Sequence, residues 1–153
     1  MTGLKGKTMD ISEKGLDLIK KWEGCKLEAY QDQKGIWTIG IGSTDNVVPD
    51  MKITLEEAIM RLKTHCSGMV IELNKYIKAP LNQNQFDAVC SLAYNIGVNG
   101  FRNSTCLKKI NERDFDGAAH AILMWDKIKV GGKMIYNQGL HNRRLDEQIL
   151  FLS

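Results

Sequence analysis

Three residues around one turn carry the chemistry open to this chain: Glu23, Asp32 and Thr38. Glu23 closes a helix-like stretch, and Gly24 follows it as a stop. Asp32 opens the turn Asp32-Gln33-Lys34-Gly35, and Thr38 lies on the β-rich run from Ile36 to Gly42. Two carboxyl groups near one bond are the minimum equipment for hydrolysing a glycosidic linkage. One protonates the leaving oxygen, and the other stabilises positive charge or activates water. A hydroxyl both donates and accepts, so Thr38 can hold that water. The spacing Glu-x8-Asp-x5-Thr in such a setting points to an enzyme that cuts polysaccharide.

The elements that must position this trio follow from periodicity. Ser12 is a good N-cap, and Leu16, Ile19, Trp22 and Glu23 recur at three- and four-residue steps. Glu23 therefore extends the apolar stripe rather than the polar face of Lys14, Asp17 and Lys21. A carboxyl facing a core loses solvation, which disfavours its charged form and suits a general acid working near neutral pH. Taken singly, Asp32 also reads as a plain turn residue and Thr38 as a good strand residue. Together, with Gly40 and Gly42 keeping the return strand slim enough for close approach, they read as a site.

Downstream, Thr54-Leu55-Glu56-Glu57 forms a capping box that starts a long amphipathic helix. Its stripe runs Leu55, Ala58, Ile59, Leu62, Cys66, Met69, Val70, Leu73 and Ile77, and Pro80 ends it. At 1.5 Å per residue such a helix is roughly 35 Å long. Asn82 caps a helix reaching Ile96, with Gly97 as its stop. Shorter helices are predicted from Ser104, from about Asp114 to Trp125, and from Leu140 to Leu152, and Lys129-Val130-Gly131-Gly132-Lys133 reads as an exposed turn. The predicted architecture is α+β and mostly helical. A small antiparallel β-hairpin sheet sits in an N-terminal lobe over about 12–60, a linking helix spans about 54–79, and an all-helical C-terminal lobe covers about 80–153. A cleft between the lobes would suit an extended glycan.

Composition agrees. With 153 residues, 43% of them hydrophobic, the chain can bury one sizeable core. The net charge of +3 is mild and the charges alternate in sign along the chain, which argues against a nucleic-acid-binding face. Lys5 and Lys7 precede no apolar leader, and no run approaches the ~18 apolar residues of a spanning helix, so neither a signal peptide nor membrane insertion is expected. Cys25, Cys66, Cys90 and Cys106 allow three disulfide pairings, but their apolar settings predict free, slowly reacting structural thiols. His65 and Cys66 diverge on a helix, and no other pair has ligand spacing, so neither metal nor cofactor is expected.

The run from Glu23 to Asp32, with Gly35-Ile36-Trp37-Thr38-Ile39-Gly40-Ile41-Gly42, resembles the active-site segment of tailed-bacteriophage lysozymes, or endolysins. Further matches are Pro80 to Ala88, Tyr94-Asn95-Ile96-Gly97, and Gly139-Leu140-His141-Asn142-Arg143-Arg144 with Glu147 after it. The resemblance implies a lysozyme-like fold and a muramidase that hydrolyses the β-1,4 bond between N-acetylmuramic acid and N-acetylglucosamine in peptidoglycan. It implies that Glu23, Asp32 and Thr38 form the catalytic trio of an inverting mechanism. Thr44, Tyr94 and Ser104 fall where the family contacts the glycan, and Arg143 falls where a basic residue pairs with the catalytic Glu. Ser43 stands where many relatives carry His. By the same resemblance the protein stays in the host cytoplasm until a holin releases it to the periplasm and cell wall. A monomer is expected. A lytic transglycosylase acting on the same bond and a non-catalytic peptidoglycan-binding module are the alternatives.

Overall fold

The computed structural model describes residues 7–153. The leader reading around Lys5 therefore lies partly outside the described residues. Helix α1 spans Glu13–Glu23, strands β1 and β2 span Lys26–Gln31 and Trp37–Gly40, and the long helix α2 spans Leu55–Tyr76. Four further helices follow: α3 Gln83–Ile96, α4 Val98–Arg102, α5 Thr105–Asn111 and α6 Phe115–Ile122. Strands β3 (Lys127–Val130) and β4 (Lys133–Tyr136) then lead into α7, Gln138–Phe151.

The start of α2 is the capping box written in the sequence, with Thr54 accepting from Glu57 N and the Glu57 side chain reaching back. Asn82 and Gln85 repeat the device at α3. Helix α2 stops at Tyr76, short of Pro80. Asn111 of α5 donates to Tyr76 O at 3.0 Å and accepts from Lys78 N at 2.8 Å, a cap supplied from a distant helix. Leu55, placed on the apolar stripe by spacing, is exposed.

Ser12 also behaves differently from a simple cap. Its hydroxyl donates to Asp87 Oδ2 on α3 and its amide to Asp87 Oδ1 at 2.9 Å, so α1 is tied to α3 at its first turn. Asp87 is fully buried. Gly15 faces the same carboxyl, where a Cβ would lie 2.9 Å from Asp87 Cγ.

Each sheet is a two-stranded antiparallel hairpin. In β1–β2, Tyr30 pairs with Thr38 and Gln31 with Trp37. The segment around Lys52 runs along the free edge of β1, with Ala29 N donating to Met51 O and Ile53 N to Leu27 O. Lys129 to Lys133 is the exposed turn read from the sequence, but it is the tip of β3–β4, where Val130 pairs with Lys133 across Gly131-Gly132, so the C-terminal part is not all-helical as expected. Buried apolar side chains form two clusters. The larger joins α1, α2 and α3 to the later helices, and the smaller consists of Ile39, Ile53 and Ala58 beneath the first hairpin.

Candidate active site

Glu23 is the last residue of α1, and its side chain is 19% exposed. Two features fix it. Arg143 Nη1 on α7 lies 2.5 Å from Glu23 Oε2, and Gly42 closes over the carboxyl so tightly that a Cβ there would lie 2.9 Å from Glu23 Cδ.

Arg143 is itself held from several sides. It donates through Nη2 to Ser91 O at 3.1 Å and through Nε to Glu147 Oε2 at 3.3 Å. Ser91 Oγ donates to the same Glu147 oxygen at 2.5 Å. Arg144 closes the group, with Nε 2.7 Å from Glu147 Oε1 and Nη2 3.2 Å from Oε2. Arg144 and Glu147 are fully buried, so the Arg143-Arg144 pair does not decorate a solvated face. Burial pushes the Glu147 carboxyl up, against the pull of Arg144, Arg143 and the Ser91 hydroxyl.

Asp32 is braced by its own turn. Its Oδ1 accepts from Lys34 N at 2.8 Å and Ile36 N at 2.9 Å, and its amide donates to Ile36 O at 2.9 Å. This Asx-type arrangement leaves Oδ2 uncommitted among the described residues. Thr38 is buried, and its Oγ1 donates to Ile36 O at 2.9 Å rather than to Asp32. The hydroxyl proton is thereby used, and the Thr38 oxygen is left as an acceptor.

Tyr30 stands on β1 across from the strand that carries Thr38. It is the cross-strand partner of Thr38, and its hydroxyl is pushed up by burial and then by the charges of Glu23 and Asp32. Tyr30, Ser91 and Glu147 were not assigned roles from sequence. The Arg143/Arg144/Glu147 spacing was the only signal for the last of them, and it is ambiguous until α3 is known to pack on α7.

The three residues matched to glycan contacts separate. Thr44 is exposed. Tyr94 is half-buried. Its hydroxyl donates to Ile41 O at 2.5 Å and its ring meets His65 edge-on, and burial pushes the phenol well up. Ser104 caps α5, donating to Phe101 O at 2.6 Å and accepting from Leu107 N at 3.1 Å, so its hydroxyl already serves the fold. Ser43, the point of departure, accepts from Arg61 Nη1 at 3.1 Å, and the same nitrogen reaches Asp45 O at 2.7 Å. That link holds the segment after β2 to α2. Cys25 is exposed, against expectation, while Cys66, Cys90 and Cys106 are buried free thiols.

A helical body carrying a small hairpin, with one carboxyl held at a helix end and a second braced in the hairpin turn, offers the equipment of a glycosidase of the lysozyme class. The family model described as Phage lysozyme matches residues 20–147. An endolysin of Acyrthosiphon pisum secondary endosymbiont phage 1 is 48% identical over 145 residues, covering 95% of this chain and 99% of that protein. Among solved structures, the endolysin from Escherichia coli O157:H7 phage FAHEc1 superposes with a TM-score of 0.90 at 42% identity, over 97% of this chain and 96% of that one. The muramidase domain of SpmX from Asticaccaulis excentricus gives 0.88 at 35%, over 94% and 98%. The chain belongs to the phage lysozyme family, and it is a glycoside hydrolase.

Proposed function

We propose that this protein is an endolysin-type muramidase that hydrolyses the β-1,4 bond between N-acetylmuramic acid and N-acetylglucosamine in peptidoglycan. The observation that carries the assignment is the held Glu23 carboxyl, paired with Arg143 and roofed by Gly42, with Asp32 braced in the adjoining turn. Glu23 donates its proton to the glycosidic oxygen as the C–O bond breaks. A water attacks the anomeric carbon from the other face and loses a proton to Asp32.

The Thr38 geometry refines how that water is held. Because Thr38 donates to Ile36 O, the water donates one hydrogen to Thr38 Oγ1 and the other to Asp32 Oδ2. A lone pair is then directed at the sugar. Thr44 contacts the glycan directly. Tyr94 and Ser104, whose hydroxyls are engaged, shape the protein beneath it. The protein acts as a monomer, and its passage from the host cytoplasm to the wall depends on a holin. None of the helices in the described residues is long and apolar enough to cross a membrane.

Mass analysis of muropeptides released from purified cell wall tests the reading, with wild type and Glu23→Gln side by side. Reducing ends with wild type, and at least ~100-fold slower release by a folded Glu23→Gln protein, are expected. Anhydro ends would assign a transglycosylase instead. Equal release by the two proteins would remove Glu23 from the chemistry.

A further inference from the structure

The buried carboxylate of Glu147 has no part in the reaction as described, yet it is the anchor on which the catalytic acid's partner hangs. It is fully buried, 0% exposed, and accepts from Arg143, Arg144 and Ser91 at once. All three of those hydrogen bonds fall on Oε2, while Oε1 faces Arg144 Nε at 2.7 Å without a hydrogen bond, and a buried charge pair of that kind is costly to keep. From this arrangement we infer that Glu147 is a positioning and charge-balancing residue for Glu23: it fixes the Arg143 fork against the catalytic carboxyl and cancels the surplus positive charge of Arg144.

The charge pattern is specific. Along the chain of contacts stand Glu23, Arg143, Glu147 and Arg144, two anions alternating with two cations. Without Glu147 the acid would face two guanidiniums with one fewer anion between them. The other groups near Glu147 are the Ser91 hydroxyl on α3 and the Cys106 thiol on α5, which burial first and Glu147 second push up to about 12. Those facing Glu23 are the Tyr94 phenol of α3 and the Tyr30 phenol of β1, both raised and therefore neutral at working pH, with Arg144 at longer range. Lys20 and Lys21 in the last turn of α1, Lys21 paired with Asp146 of α7, and Asp32 on the hairpin turn add further charges, and Arg143, Glu147 and Arg144 are those linked to Glu23 through successive ion pairs.

The sign follows. Removing the Glu147 anion favours the charged form of Glu23, so the acid is lost at lower pH and the basic limb of the pH–rate profile moves down. The inference rests on Glu23 being the acid, and Glu23→Gln is included so that the two ideas fail separately.

The experiment measures kcat, KM and pH–rate profiles on purified peptidoglycan, with thermal unfolding as the check of fold, for Glu147→Gln, Glu147→Asp and Arg144→Met/Glu147→Gln. Glu147→Gln should lose about tenfold in kcat with KM within about twofold, because the fork on Glu23 is no longer fixed. Its basic limb should move down by about one pH unit, the scale for a unit charge across a partly buried site. Glu147→Asp keeps the charge and should keep the limb. The double variant restores charge balance but not the anchor, so its limb should return while kcat stays low. A Glu147→Gln protein with wild-type limb and kcat overturns the inference, as does a shifted limb that the double variant leaves in place. If Glu147→Gln does not fold, the charge-balanced double variant decides: reduced kcat with a wild-type limb supports the role, and wild-type kcat removes it. An active Glu23→Gln protein would instead refute the assignment of the acid.

Discussion

Gly42→Ala separates the geometry of the acid from the stability of the hairpin. Gly42 has φ +70°, where a residue with a Cβ costs about 1–2 kcal/mol. For a chain of this length that lowers Tm by roughly 2–8 °C. The added methyl would also stand 2.9 Å from Glu23 Cδ. Carbon contacts settle near 3.5–4.0 Å, so the carboxyl must retreat by at least about 0.6 Å, or the segment after β2 must lift. Either movement disturbs the 2.5 Å approach of Arg143 Nη1 to Glu23. A misplacement of about 1 Å can cost ~100-fold in rate.

The control is Gly40→Ala. Gly40 has φ +66° and so carries the same backbone cost, but its Cβ would meet Ala58 Cβ at 3.3 Å, away from Glu23. Both variants should lose similar Tm in a thermal melt. In a turnover assay on purified peptidoglycan, Gly40→Ala should stay within about threefold of wild type while Gly42→Ala falls by ten- to a hundredfold. Equal activity of the two alanine variants would show that the tight seat of Glu23 against Gly42 is immaterial to catalysis.

Arg143→Ala removes the cation from Glu23, so the acid form persists to higher pH and the basic limb of the rate profile should rise, opposite in sense to the Glu147→Gln shift. A profile that falls or does not move would contradict the pairing. Asp87→Ala leaves Ser12 and Gln83 without their acceptor and should lower stability by about 3 kcal/mol in denaturant unfolding, with loss under 1 kcal/mol the contrary result. In the native protein one thiol, Cys25, should label quickly and three slowly at pH 8. Burial pushes Cys66 up to about 11, Cys106 to about 12, and Cys90 well above the ordinary thiol value, so thiolate is scarce as well as shielded. Four equally slow thiols would refute the exposure of Cys25.

What was legible in the sequence was whatever local chemistry decides. The Thr54 and Asn82 caps announce themselves because their partners are three residues away. The end of α1 at Glu23 was findable because a helix stripe runs up to it and a glycine stop follows. The end of α2 was not, because Asn111 comes from α5 to cap it. Ser12 has the right residue type for a cap, yet its hydroxyl is drawn to a carboxylate on α3. Strands β3 and β4 escaped for another reason. Val130, Met134, Ile135 and Tyr136 are all exposed, so burial imposes no alternation there, and only the glycine pair at the tip left a mark. Likewise, Thr38 could be placed on a strand, but which oxygen receives its proton depends on the three-dimensional turn.

These failures and successes explain how the site is assembled. The first hairpin rests on a buried core of Ile39, Ile53 and Ala58, whereas Glu23 and Arg143 stand on α1 and α7, which place Leu16, Ile19 and Phe151 in the large helical cluster. A small cluster buries too little apolar surface to hold Asp32 and Thr38 in register with Glu23 by itself. Polar ties supply the rest. Tyr94 reaches the Ile41 carbonyl, Arg61 grips Ser43 and the Asp45 carbonyl, and Gly42 lies flat on the Glu23 carboxyl. All of these ties fall in the short segment between β2 and α2. That segment, more than either hydrophobic core, ties the hairpin that carries Asp32 and Thr38 to Glu23, the proposed proton donor. Its substitutions should therefore alter rate more than they alter global stability.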